Sequence, residues 1–286
     1  FPIVRQVLHP GQPQAARREI GGATGAEAAH TPRATAPGRL AAAHAGRVEF
    51  QSVSFSYSPD VPVLREVSFA VEAGHSLALV GPTGAGKTSI LSLLCRFYDP
   101  DAGRILLDGV DLRDLPFDLL RRRVAIVLQD PFLFSRSVRE NITLGSEMSD
   151  AEVRRATEMV QALDFIERLP AGLDTVMAER GATLSVGQKQ LLCFARALAH
   201  DPRVLILDEA TSSVDPDTEH RIQQAIETLM RGRTSLVVAH RLSTIQRADE
   251  ILVLDGGRIV ERGNHGELLA KRGMYHNLHL LQYRTV

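Results

Sequence analysis

From Arg47 onward the apolar positions fall into short runs of strand length, separated by longer stretches with helical spacing. VEFQSVSFSY (48–57) alternates apolar and polar as a half-buried strand does. VLREVSFAVEAG (63–74) continues with a second strand before Gly74, so an antiparallel sheet opens the domain. SLALV (76–80), RRVAIVL (122–128), RVLILD (203–208), TSLVVAH (234–240) and EILVLD (250–255) are almost wholly apolar cores instead. Strands of that kind are buried on both faces, and helical stretches between them predict a parallel sheet covered on both sides. Between Val127 and Val204 the pattern is mostly helical. Ser149 followed by Glu152 predicts a capping box that opens one helix, and Asp215-Pro216 has the N-cap and N1 chemistry that opens another. There is no internal repeat. Residues 1–46 stand apart: from Gly21 to Gly46 Ala dominates, with Gly, Pro32 and Pro37 interspersed and no sustained period, which predicts a linker or disordered tail. Only Phe1–Leu8 has the apolar content to pack.

Composition narrows the classes. A chain of 286 residues, 44% hydrophobic and 23% charged, is neither disordered nor fibrous. A net charge of -1 supplies no overall positive field for nucleic acid or acidic lipid. Cys95 and Cys193 lack the spacing of a zinc site and are too few for a disulfide scaffold, which fits a reducing compartment; both lie in apolar runs that predict buried, inert thiols. No apolar run approaches the roughly 20 residues of a membrane-spanning helix. The chain begins at Phe1 with no evident signal peptide and is expected to be a fragment of a longer polypeptide.

Two segments carry chemistry. SLALV runs into Gly81-Pro82-Thr83-Gly84-Ala85-Gly86-Lys87-Thr88, the Gly-x-x-x-x-Gly-Lys-Ser/Thr phosphate loop, and a helical stretch follows from Ser89. Glycines let backbone N–H groups turn inward onto phosphate oxygens, and the helix beginning near Gly86 adds the positive end of its dipole. Lys87 then reaches the β- and γ-phosphates, and the Thr88 hydroxyl holds Mg²⁺. The strand RVLILD ends in Asp208 and Glu209, which suit a water-mediated Mg²⁺ ligand and a residue that polarises an attacking water. A strand ending in Asp-Glu is common; beside a phosphate loop it gains weight.

With both halves in place, the sequence from about Arg47 to the C-terminus resembles the nucleotide-binding domain of ATP-binding cassette transporters. Leu184-Ser185-Val186-Gly187-Gln188 is similar to that family's signature motif, with Val186 where the usual form has Gly. The resemblance implies that Ser185, Gly187 and Gln188 form a second phosphate-binding surface at a helix N-terminus. It implies adenine stacking on Tyr57, contact of Gln129 with the metal and the attacking water, and a γ-phosphate contact from His240 that also orients Glu209. Ser212-Ser213-Val214-Asp215 resembles a loop that communicates between sites, though Asp215 suits a helix N-cap equally and the two roles are compatible. Glu179-Arg180-Gly181 and Pro131-Phe132-Leu133-Phe134 resemble exporter segments that meet helices of a membrane domain.

The fold so implied is α/β: a P-loop NTPase (RecA-like) core with an antiparallel β subdomain and an α-helical signature subdomain. The domain spans 47–286 with a helical arm at about 130–185, and residues 1–46 are a linker following a membrane domain. The cofactors are ATP and Mg²⁺. The partners are a second nucleotide-binding domain, identical or homologous, arranged head to tail, and the coupling helices of a transmembrane domain at the cytoplasmic face of a membrane; nucleic acid is not expected. Two alternatives have distinct signatures. A soluble chromosome-maintenance or repair ATPase interrupts this domain with a long coiled coil or zinc module, and neither heptads nor Cys pairs occur here. A separate ATPase subunit of an importer is favoured by a native, Met-initiated start, whereas the linker-like first 46 residues favour a fused membrane domain. The transported substrate is not legible, because membrane helices select it.

Overall fold

The computed structural model describes residues 46–178, 181–208, 216–238 and 242–283. The tail expected at 1–46 lies outside them except for Gly46, as do Glu179, Arg180, Glu209, the segment Ser212–Asp215 and His240. Where the chain becomes described, Asp108 receives it: its Oδ1 accepts the N–H of Gly46 at 2.6 Å and of Arg47 at 3.0 Å, and its Oδ2 accepts Arg123 Nη1 at 3.3 Å.

Strand β1 (Val48–Ser58) pairs antiparallel with β2 (Val61–Val71) and, on its other edge, with β4 (Ala102–Leu107), which turns into the short β5 (Val110–Asp111). The expected antiparallel sheet is therefore present, in the order β2-β1-β4-β5. A second sheet contains β3 (Ser76–Val80), β6 (Val124–Val127), β7 (Val204–Asp208), β8 (Thr234–Val238), β9 (Glu250–Asp255) and β10 (Arg258–Gly263) in the order β10-β9-β3-β8-β7-β6. Its first five strands in sequence are the five apolar runs, all mutually parallel; β10 is antiparallel, joined to β9 by the Gly256-Gly257 turn. Boundaries shift by one residue at Leu128 and Arg203, and RRVAIVL is not strand at its start either, because Arg122 and Arg123 close a helix (Phe117–Arg123, α2) before β6 starts. Three arginines in the last turn of α2 suit the negative end of its dipole.

Alternation along the parallel strands builds two cores. Leu77 and Leu79 of β3, Ile206 of β7, Leu236 of β8 and Leu252 of β9 face one layer, shared with the antiparallel sheet and with helix α1 (Lys87–Leu94) through Ile90, Leu91, Leu93 and Leu94. Their neighbours Ala78, Val80, Leu205, Leu207, Val237, Ile251 and Val253 face the opposite layer. That layer holds α3 (Val138–Thr143), α4 (Asp150–Met159), α5 (Leu163–Glu167), α6 (Val186–Ala199), α7 (Pro216–Met230) and α8 (Leu242–Arg247). The chain ends in α9 (His265–Lys271) and α10 (Met274–Tyr283), which contribute Leu268 and Tyr275 to it. The expected capping box at Ser149–Glu152 is formed in both directions, and Pro216 begins α7. None of the described helices is long and apolar enough to cross a membrane.

Candidate nucleotide-binding site

The phosphate loop sits at the carboxyl end of β3, between the two layers. Its glycines are fixed by geometry. At Gly81 φ is +149°, and a Cβ there would lie 2.2 Å from the Leu254 carbonyl oxygen, so the loop is pressed against the end of β9. Gly86 (φ +105°) caps α1, and a Cβ would meet Leu64 Cδ2 at 2.6 Å; Gly84, with φ +82°, needs its backbone freedom in open space. Pro82 and Thr83 are exposed, and Ala85 is buried against the antiparallel-sheet layer. Lys87 Nζ donates to the carbonyls of Gly81 at 2.7 Å and Pro82 at 2.9 Å, curling over the loop it belongs to. Burial draws the Lys87 ammonium below the ordinary lysine range, and the charge of Asp208 pushes it back up. That opposition places the carboxylate ending β7 within electrostatic reach of the lysine, although β8 separates their strands. Thr88 is exposed at the first turn of α1, and Ser89 is buried behind it.

Tyr57 lies near the end of β1 with 53% of its surface exposed. Its hydroxyl is 3.2 Å from Ser89 Oγ, which ties an aromatic platform to the phosphate-loop helix. Phe55 and Tyr98 pack edge-on against its ring, with centroids at 4.8 Å and 5.2 Å. Gln129 is exposed just beyond β6, and strand order puts it on the far side of Asp208 from the phosphate loop. A threonine hydroxyl, a carboxylate and an amide oxygen are the hard oxygen donors that Mg²⁺ takes, so Thr88, Asp208 and Gln129 fit the metal chemically.

At the start of α6, Ser185 is the N-cap: its Oγ accepts the Gln188 N–H at 3.2 Å, while Gln188 Oε1 accepts the Ser185 N–H at 3.0 Å. Because the hydroxyl acts there as acceptor, its proton stays available for a phosphate oxygen. Ser185 and Val186 are exposed; Gly187 is buried, since a Cβ on it would come within 2.1 Å of Thr218 Cγ2 on α7.

Comparison with known proteins decides the family. The profile described as ABC transporter matches residues 64–212, more than half of the chain. The chain belongs to the ABC transporter family. It is 50% identical over 240 residues to an ATP-dependent lipid A-core flippase of Alcanivorax borkumensis, covering 83% of this chain and 40% of that protein. It is 49% identical over 255 residues to a beta-(1→2)glucan export ATP-binding/permease protein of Nitrobacter winogradskyi, covering 89% and 41%. Among solved structures, a bacterial Atm1-family ABC exporter with ATP bound superposes with a TM-score of 0.78 at 43% identity, covering 89% of this chain and 45% of that one. The chain thus spans about two fifths of the length of the curated relatives it matches. The part it spans carries the ABC transporter family domain with the α/β P-loop fold that its sequence implies, and the relatives reported above include exporters.

Of the residues expected in the site, Gly81–Ser89, Tyr57 and Asp208 gather around the carboxyl end of β3 or the helix behind it, while Ser185, Gly187 and Gln188 begin a helix of the opposite layer. Sequence reasoning missed Tyr98. It stands in the run after α1 with no periodicity or motif to single it out, and only the fold brings it edge-on to Tyr57. Cys193 is buried as expected, while Cys95 is half-buried; desolvation pushes Cys95 up to about 12 and raises Cys193 as well.

Proposed function

We propose that this domain binds and hydrolyses MgATP as a head-to-tail dimer, and that the closing of the dimer powers export through a membrane domain carried on the same polypeptide at the cytoplasmic face of a membrane. Adenine stacks on Tyr57. Backbone N–H groups of Gly84–Thr88 and the Lys87 ammonium hold the phosphates once Lys87 leaves its own loop carbonyls for the more strongly charged oxygens. Thr88, Asp208 and Gln129 would hold Mg²⁺, which would supply positive charge to offset that of the phosphates. Glu209 polarises the attacking water, His240 orients Glu209 and touches the γ-phosphate, and Asp215 relays between sites; these three roles come from family resemblance. The cargo varies among the relatives, from a lipid A core to a glucan, which supports a division of labour in which this domain supplies the energy and other segments choose the substrate.

The observation that carries the dimer is the partition of the fold. Helix α1, which ends the phosphate loop, packs on one face of the parallel sheet, and α6, which Ser185 caps, packs on the other. A sheet stands between a chain's own phosphate loop helix and its own signature helix, which favours completion of each site by a second copy.

Complementation tests this. Lys87→Ala and Ser185→Ala each damage every shared site in a homodimer, so each alone is nearly inactive. Mixed in equal amounts, the loop of the Ser185 variant meets the signature of the Lys87 variant and one site is whole. ATPase activity that rises on mixing and peaks near equal proportions supports the shared site; a flat response refutes it for a dimer in which one working site suffices.

A further inference from the structure

The segment leaving Gln129 passes from the sheet to the helical layer through residues 131–136 without regular secondary structure, so its backbone groups need partners from elsewhere. Asn141 and Arg196 supply most of them, and Cys193 Sγ adds a weak donor to the Phe132 carbonyl at 3.9 Å. Asn141 on α3 is 1% exposed. Its Nδ2 donates to the carbonyls of Phe134 at 2.9 Å, Ser137 at 3.0 Å and Arg136 at 3.3 Å, and its Oδ1 accepts the Phe134 N–H at 2.8 Å. Arg196 lies on α6, the helix that Ser185 caps. It donates from Nη1 to the Phe132 carbonyl at 3.1 Å, from Nη2 to Asn141 Oδ1 at 3.2 Å and from Nε to the Asn141 carbonyl at 2.7 Å. All three acceptors are neutral oxygens, and the guanidinium carbon lies 5.7 Å from the centroid of the Phe134 ring. Between these anchors Leu133 is 1% exposed in the helical-layer core. A Cβ on Gly181, just ahead of the signature, would approach Leu133 Cδ1 to 2.9 Å. The loop is therefore fastened to α3, to α6 and to the segment leading into Ser185.

We infer that Arg196 and Asn141 are positioning residues that make the loop leaving Gln129 and the signature helix one rigid body, so that Gln129 in its own site and Ser185 in the partner's site are placed together. The inference rests on the reading of Gln129 and Ser185 as nucleotide contacts. A loop satisfied only by its own turns could move Gln129 without moving Ser185. Here the two carbonyls of Phe132 and Phe134 are held by side chains from the helical layer, and a displacement of α6 carries the loop with it.

Asn141→Asp is the discriminating change. A carboxylate keeps the acceptors for the Phe134 N–H and for Arg196, so the α3–α6 contact survives as an ion pair, but the donors to three loop carbonyls are replaced by repulsion. Arg196→Lys is the second variant: it keeps the charge and loses the planar fork that spans two partners. For the 286-residue chain and both variants, hydrogen exchange, ATP affinity and steady-state ATP hydrolysis are measured. Amides of residues 132–137 are expected to exchange at least about tenfold faster in both variants, while amides of α6 keep their protection. ATP Kd and KM stay within about twofold, because the phosphate loop and Tyr57 are built on the other layer, and kcat falls about tenfold or more. The double variant loses no more than the larger single loss, since both changes break one clamp. Released loop amides with kcat at the parent value overturn the inference. So does a joint loss of α6 protection, Kd and kcat, which marks a merely structural network. Failure of the parent chain to hydrolyse ATP at all overturns the functional reading instead.

Discussion

Gly187→Ala isolates the packing role of a residue whose amide is also proposed to meet phosphate. The missing side chain is a contact requirement: the added Cβ would lie 2.1 Å from Thr218 Cγ2, with Thr218 Cβ at 3.5 Å and Ile222 Cδ1 at 3.7 Å. No methyl group tolerates 2.1 Å, so α6 and α7 must separate or Thr218 must leave its rotamer, which as overpacking costs about 1–3 kcal/mol. For a chain of this size that lowers the melting temperature by roughly 2–4 °C per kcal/mol. Thr218→Ser removes the offending methyl and keeps the hydroxyl; alone it deletes one buried contact and costs about 1 kcal/mol. The pair should therefore be strongly non-additive, with the double variant within about 1 kcal/mol of Thr218→Ser. Chemical and thermal denaturation of the four proteins measure the cycle. Because the new Cβ is aimed at α7 and not outward beside Ser185, ATP hydrolysis should recover together with stability. A double variant no more stable than Gly187→Ala refutes the packing argument, and one that regains stability but not hydrolysis shows that the methyl intrudes on the phosphate surface itself.

Three further outcomes can be measured. Tyr57→Ala should raise KM for ATP about fivefold or more with little change in kcat, since stacking worth about 1–3 kcal/mol, by analogy with nucleic-acid bases, acts alike in ground and transition states; an unchanged KM moves adenine elsewhere. Glu209→Gln should retain ATP binding and lose about 10²–10⁴ in rate, the usual range for a lost general base, and parent-like turnover would remove Glu209 from that role. His200 caps the end of α6 with its Nε2 buried and unpartnered, and burial holds its pKa below the ordinary histidine value. The unfolded chain therefore binds a proton near the ordinary value that the native chain resists, so stability falls as pH drops through the ordinary histidine range at about 6.5; His200→Gln should flatten that slope, and an identical slope would discard the assignment.

Much of the fold was legible because the signals were local. SLALV and EILVLD coincide residue for residue with β3 and β9, since an all-apolar run of strand length in a doubly covered sheet has little freedom to begin elsewhere. The run from Arg122 was less clean: an arginine pair reads as a strand edge or as the last turn of a helix, and only the α2–β6 junction decides for the helix. The phosphate loop was legible through its fixed spacing, and Ser185 through its place in a motif resembling the family signature; the reciprocal cap it shares with Gln188 came only with the structure. What sequence could not supply is contact between distant residues. Tyr98 beside Tyr57, and Arg196 beside Asn141 and Phe132, join segments whose separation along the chain carries no period. The Thr218 methyl that forbids a side chain at Gly187 is equally silent until α7 is laid across α6.

The side-chain alternation of the parallel strands explains why the site lies where it does. Along β3, Leu77 and Leu79 belong to the layer of α1 and the antiparallel sheet, and Ala78 and Val80 to the layer of α6; β7, β8 and β9 alternate in the same way. Each strand is thus shared between two cores, and a one-residue slip would exchange every side chain between them, so the strands themselves cannot absorb relative movement. Any adjustment of one layer against the other falls to the connections at strand ends. At the carboxyl ends those connections carry the residues assigned to the nucleotide: the Gly81–Thr88 loop after β3, Gln129 after β6 and Asp208 at the end of β7. A ligand bound across these ends touches both layers at once, which is the physical content of the rule that open α/β sheets bind at their carboxyl edge. Binding energy spent there acts on the connections that join the two layers, and under the proposed clamp from Arg196 and Asn141 the Gln129 connection travels with the signature helix.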